Sequence, residues 1–93
     1  MYNKNSKQFI ILFTMKKNQS LNKKILKKIG LNIRYRRLYS NISQEALALD
    51  IGVERSYITY IEMGEKSPSI YCLYLIAKML NTTLKELIDI NLE

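Results

Sequence analysis

Ninety-three residues hold one small domain with one modest core, which leaves no space for a catalytic module or an effector pocket beside it. The chain has no histidine and a single cysteine, Cys72, which excludes a His-dependent triad, the usual proton shuttle, His-containing zinc sites and an internal disulfide, and fits a reducing cytoplasm. The net charge of +7 divides sharply: residues 1–44 carry eleven Lys or Arg and no acid, residues 45–93 four bases and eight acids, so the halves stand at +11 and −4. Such a division fits a polyanionic partner, nucleic acid above all, although Lys-rich proteins are often basic without one. No carboxylate cluster has metal-ligand spacing, and neither an enzyme nor a cofactor is expected.

Met1 to Ser20 reads as a flexible basic N-terminal arm ahead of a domain over 21–93. Its apolar run, Phe9-Ile-Ile-Leu-Phe13, is far shorter than the roughly 20 residues a bilayer demands. Met15-Lys16-Lys17 follows it, where a secretory leader would carry small residues. Two readings stay open: a mobile arm, or an extension upstream of a start at Met15. The apolar run could also pack on the domain or pair across a dimer.

Helical spacing of Ile25, Ile29, Ile33 and Leu38, with Lys and Arg between them, predicts a first helix from about Asn22 to Tyr39. Gly30 within it marks either a close helix contact or a later helix start. Ser43 is a fitting N-cap for a second helix over Gln44–Asp50, which Gly52 ends in a left-handed turn. A third helix is expected over Glu54–Met63, before Gly64, and a fourth over Ile70–Leu80, capped by Ser69 and closed by Asn81. Thr83 and Glu86 form a capping box for a fifth, Leu84 to about Asn91. Five short helices without a credible strand make the chain all-α.

The informative stretch runs from Gln44 to Glu62. Two helices joined by a tight turn need an apolar inner face, supplied by Leu47, Ile51, Val53, Ile58 and Ile61. They also need a small residue where they cross, Ala48, and a glycine in the bend, Gly52. All seven positions agree.

With Ile33-Arg34-x-x-Arg37, Ser43-Gln44-Glu45-x-Leu47-Ala48, Gly52-Val53, Ile58-x-x-Ile61-Glu62-x-Gly64, Pro68-Ser69 and Ile76-Ala77-x-x-Leu80, the chain resembles the Cro/repressor (Xre-type) helix-turn-helix family. The likeness covers about Ile29 to Ile88. Residues 54–62 are further similar to the small controller proteins of restriction–modification systems. Glu54 departs from the Ser or Thr common at its position, which weakens the third helix's cap, and Met63 replaces a commoner polar residue.

The resemblance implies a five-helix, phage-repressor-like domain that binds double-stranded DNA as a transcriptional regulator. It implies phosphate contact by Gln44 at the start of the second helix. It places Arg55, Ser56, Thr59 and Tyr60 in the major groove, Arg55 able to hold a guanine edge with two donors. Tyr57 either packs beneath the helix or touches phosphate. Lys66 and Arg34, with Lys23, Lys24, Lys27 and Lys28, extend the electrostatic footprint. Arg37 and Glu62 break the polarity of their helix faces, and the family pairs these positions in a partly buried structural ion pair.

One such helix reads few base pairs, so a homodimer on a (pseudo)palindromic operator is expected. Tyr71, Tyr74, Leu84, Leu87, Ile88, Ile90 and Leu92 offer more apolar surface than one small core needs and are the expected interface; the alternative is that they only close the core. Two rival classes of function compete with this reading. An interaction module without DNA binding would favour an acidic third helix, towards which Glu54 and Glu62 lean and against which Arg55 stands. A membrane-surface peptide would need Trp or Phe on the first helix's apolar face, which has neither.

Overall fold

A computed structural model describes Lys7, Ile10, Ile11 and residues 18–92. What was expected of the other residues before Asn18, the arm above all, lies outside the described residues. From Gln19 on the chain forms α1 (Gln19–Tyr39), α2 (Gln44–Ile51), α3 (Arg55–Glu62), α4 (Ile70–Met79) and α5 (Leu84–Leu87). No strand occurs among the described residues, and the fold is all-α.

Local chemistry sets most helix ends. The Ser43 hydroxyl accepts from the Ala46 amide at 3.0 Å, Ser69 from Cys72 at 3.0 Å and Thr83 from Glu86 at 3.1 Å, each engaging an amide that the first turn leaves unpaired. Glu54 at the head of α3 makes no such bond. Asn41 and Asn81, with φ of 59° and 56°, take the left-handed conformation just beyond α1 and α4, as asparagine does more readily than most residues.

Two boundaries differ from the periodicity by more than one residue. α1 begins at Gln19, three residues before the expected Asn22. α5 ends at Leu87, four residues short of Asn91. The second difference has a tertiary cause: Asn32 Nδ2 on α1 donates to the Leu87 carbonyl at 2.9 Å and the Asp89 carbonyl at 3.2 Å. Those acceptors would otherwise serve a continuing helix. The capping box is also only half formed. The Glu86 carboxylate pairs with Arg36 and accepts from the Thr82 hydroxyl, so it is drawn outward to α1.

The core takes a fully buried side chain from every helix: Ile33, Leu47, Ile58, Ile61, Ile76 and Leu87. Each such burial stabilises by about 1.5–3 kcal/mol. Ala48, Ala77, Leu73, Leu80 and Cys72 complete it. Burial pushes the Cys72 thiol above its ordinary pKa, which keeps it protonated and makes it a packing group. No helix among the described residues is long and apolar enough to cross a membrane.

Two glycines hold α3 in place for different reasons. A Cβ on Gly30 would lie 2.5 Å from the carbonyl oxygens of both Ile61 and Glu62, so α1 meets the end of α3 backbone to backbone. Since α1 starts well before Gly30, the glycine serves close contact and not a late start. Gly52 has open space around it but a φ of +78°, and the left-handed bend lets the Val53 amide reach the Ala48 carbonyl at 2.9 Å.

These constraints separate in a urea unfolding series. Gly52→Ala is expected to cost about 1–2 kcal/mol, the left-handed penalty alone. Gly30→Ala would gain nearly 1 kcal/mol in an exposed helix. Here overpacking against backbone reverses the sign, and a loss of about 3 kcal/mol or more is expected; a neutral Gly30→Ala would show that the crossing can open.

Candidate nucleic-acid interface

α2, the Gly52 bend and α3 form a helix pair whose inner side is apolar and whose outer side is polar. On α3, Ile58, Ile61 and Glu62 are buried, Tyr57 and Thr59 half-buried, and Arg55, Ser56 and Tyr60 exposed. Arg55, Ser56, Thr59 and Tyr60 line one shallow depression. Among the described residues no carboxylate pairs with Arg55, so its guanidinium is available to a ligand.

Lys66, in the loop after α3, stands with Nζ 5.3 Å from the centre of the Tyr60 ring and 5.9 Å from that of Tyr57. The amides of Glu65 and Lys66 both return to the Tyr60 carbonyl, folding that loop over the end of α3. Tyr57 packs against the core's edge, with the Lys66 cation over its ring. Arg34 is exposed on α1 one turn beyond Gly30. A Cβ on Gly64 would lie 2.7 Å from the Lys27 Cα, so the basic stretch of α1 runs beside the loop that carries Lys66.

Beneath this surface lies a polar network. Arg37 Nε donates to Glu62 Oε2 at 2.6 Å and Arg37 Nη2 to Glu62 Oε1 at 3.0 Å, while Nη1 donates to the Ile42 carbonyl at 2.9 Å. The two side chains are 8% and 1% exposed. Gln44 Nε2 donates to Glu62 Oε1 at 3.0 Å, and the Thr59 hydroxyl donates to Gln44 Oε1 at 2.9 Å. No buried side-chain nitrogen or oxygen among the described residues lacks a partner. Gln44, expected at phosphate, is thus tied to α3 by both ends of its amide. Sequence reasoning missed this link, because residues 15 and 18 apart meet only once the helix crossing is known.

Of the residues expected at a dimer interface, Tyr71, Tyr74 and Ile88 are 70%, 52% and 45% exposed. Ile90 is half-buried, and Leu84 packs against the core. Leu87 must be withdrawn: it is fully buried, the one α5 side chain that closes the core.

A helix-turn-helix family profile (HTH_3) matches residues 33–87, the span from the first core isoleucine to the last core leucine. The chain belongs to the helix-turn-helix family. Control protein C.SmaI of Serratia marcescens is 39% identical over 57 residues, which are 61% of this chain and 68% of that protein. The restriction–modification controller protein C.AhdI of Aeromonas hydrophila superposes with a TM-score of 0.64 at 34% identity, covering 67% of this chain and 94% of that one. An HTH_3 family transcriptional regulator of Vibrio cholerae superposes with a TM-score of 0.65 at 27% identity, covering 71% of this chain and 37% of that one. This helix-turn-helix protein is a DNA-binding regulator of transcription.

Glu62→Ala strands the Arg37 guanidinium inside the helix-turn-helix domain. A loss of about 3–5 kcal/mol is expected in urea unfolding, and Arg37→Met with Glu62→Leu should recover most of it. A single-variant loss below about 1 kcal/mol, the range of an exposed pair, would show that the pair is incidental.

Proposed function

We propose that the protein is a cytoplasmic homodimeric regulator that lays α3, with its flanking residues 54–63, in the major groove of each half of a (pseudo)palindromic operator. Residues 21–93 are the DNA-binding unit and residues 1–20 an arm ahead of it. The observation that carries the reading is the outer face of α3: Arg55, without an ion-pair partner among the described residues, beside Ser56, Thr59 and Tyr60 in one depression, with Lys66 at its edge. Arg55 reads a guanine edge through two donors. Lys66, Arg34 and the second amide hydrogen of Gln44 meet phosphate, and the lysines of α1 add to the counterion release that drives binding.

The relatives favour one setting. C.SmaI is a control protein and C.AhdI a restriction–modification controller; the operator near this chain's own gene is therefore the first place to look. No effector, metal or cofactor enters this reading, and no enzymatic step is assigned.

A footprint on DNA upstream of its own gene, at two salt concentrations, tests the contacts. Arg55→Ala should weaken protection by about 1–3 kcal/mol and relax selectivity at one base pair per half-site. Lys66→Ala should weaken binding evenly across sequences and lower the salt slope by about one. Protection unchanged by Arg55→Ala removes that side chain from the reading.

The exposed Tyr71, Tyr74 and Ile88, with Ile90, form the proposed dimer surface. Two copies placed this way present their α3 helices about 34 Å apart, or a multiple of that. Sedimentation at micromolar protein without DNA should give the mass of two chains, and Tyr71→Glu with Tyr74→Glu the mass of one. A wild-type mass of one chain refutes the dimer.

A further inference from the structure

The network that links the buried ion pair to the outer face of α3 has a direction. Held by two bonds from Arg37, the Glu62 carboxylate only accepts. The Gln44 amide, which could otherwise sit either way round, must therefore turn Nε2 to Glu62 Oε1 and Oε1 to Thr59. A hydroxyl has one proton and two lone pairs. The Thr59 proton is drawn inward, to Gln44 Oε1 at 2.9 Å, with the Arg55 carbonyl at 3.3 Å as the alternative acceptor among the described residues. Its lone pairs and methyl are what remain for the depression it shares with Arg55, Ser56 and Tyr60.

We infer that Glu62, acting through Gln44, fixes Thr59 as a hydrogen-bond acceptor toward DNA and thereby selects a base with an exposed amino group at one position of each half-site. Adenine N6 and cytosine N4 are donors in the major groove, whereas guanine offers only the acceptors N7 and O6. A guanine edge opposite Thr59 meets lone pairs with lone pairs and is rejected. The inference rests on the proposal that α3 enters the major groove. Thr59 is the selecting group, and Gln44 and Glu62 are positioning residues that never touch the base.

The test is selection of bound duplexes from a randomised pool by the full chain, as wild type, Thr59→Val and Gln44→Met, with each protein's melting temperature recorded. Wild type should enrich adenine or cytosine over guanine about five-fold at one position per half-site, the worth of one net hydrogen bond. Thr59→Val, which keeps the shape and loses the hydroxyl, should flatten that position alone. Gln44→Met releases the Thr59 proton and should raise guanine at the same position while the bases read by Arg55 hold. Without any variant, replacing the selected base by its analogue lacking the exocyclic amino group should weaken wild-type binding about five-fold. Unchanged affinity for the analogue, or a Gln44→Met base preference at that position identical to wild type, whatever even loss of affinity the missing phosphate contact adds, overturns the inference. Enrichment at the position of Arg55 with guanine tolerated at that of Thr59 overturns it alone; a pool with no enriched sequence overturns the major-groove proposal together with it.

Discussion

An arginine and a glutamate, both almost wholly withdrawn from solvent, tie the end of α1 to the end of α3. Removing two charges from water costs several kcal/mol per ion, and attraction offsets this only where geometry is tight and the remaining polar atoms are engaged. Both conditions are met here: the guanidinium grips both carboxylate oxygens and the Ile42 carbonyl, and Gln44 adds a third donor to Glu62. An apolar pair of equal volume could close the same space without specifying an angle. The forked pair restricts the mutual orientation of its partners and so works with the buried Ile58 and Ile61 to hold α3 in one rotation about its own axis.

That rotation decides which residues face outward. An eight-residue helix is not stable alone in water, so α3 takes its conformation and its aim from the elements it packs on. Gly30 sets how near α1 comes, Gly52 sets the angle at which the chain leaves α2, and the ion pair sets the roll together with Ile58 and Ile61. Those two isoleucines turn inward, and Arg55, Ser56 and Tyr60 are left outside. Charge follows the same geometry. Arg36 and Arg37 are held by Glu86 and Glu62, while among the described residues Arg34, Arg55 and Lys66 form no such pair and stand exposed.

What could be read from the sequence was what is local in the chain. Ser43, Ser69 and Thr83 announce helix starts through their own hydroxyls, Gly52 announces the bend, and the spacing of Leu47, Ile58 and Ile61 gives the inner face. What could not be read depended on contacts between elements distant in sequence. Nothing near Asn91 says that α5 stops at Leu87; that depends on Asn32, more than fifty residues earlier. Leu87 looked like one more apolar residue on an overstocked segment, and only the packing of α5 against α1 and α4 shows it to be core. Gln44 illustrates the same limit at the site, since its type and position fit phosphate contact, while its engagement with Thr59 and Glu62 appears only when α2 and α3 are seen crossing.

The division between the scaffold and the outer face of α3 is therefore incomplete in this protein. Arg55, Ser56 and Tyr60 stand outside the core, and exchanging them alters little that the fold relies on. Thr59 differs, because its hydroxyl belongs to a chain of hydrogen bonds that ends in the ion pair holding α3. A substitution there changes an outward-facing group and the environment of Gln44 together, and a substitution at Glu62 reaches the outer face of α3 without being part of it. The same bonds that aim the helix also orient the Thr59 hydroxyl, so at Thr59 the stability of α3 and the polarity of its outer face cannot vary independently.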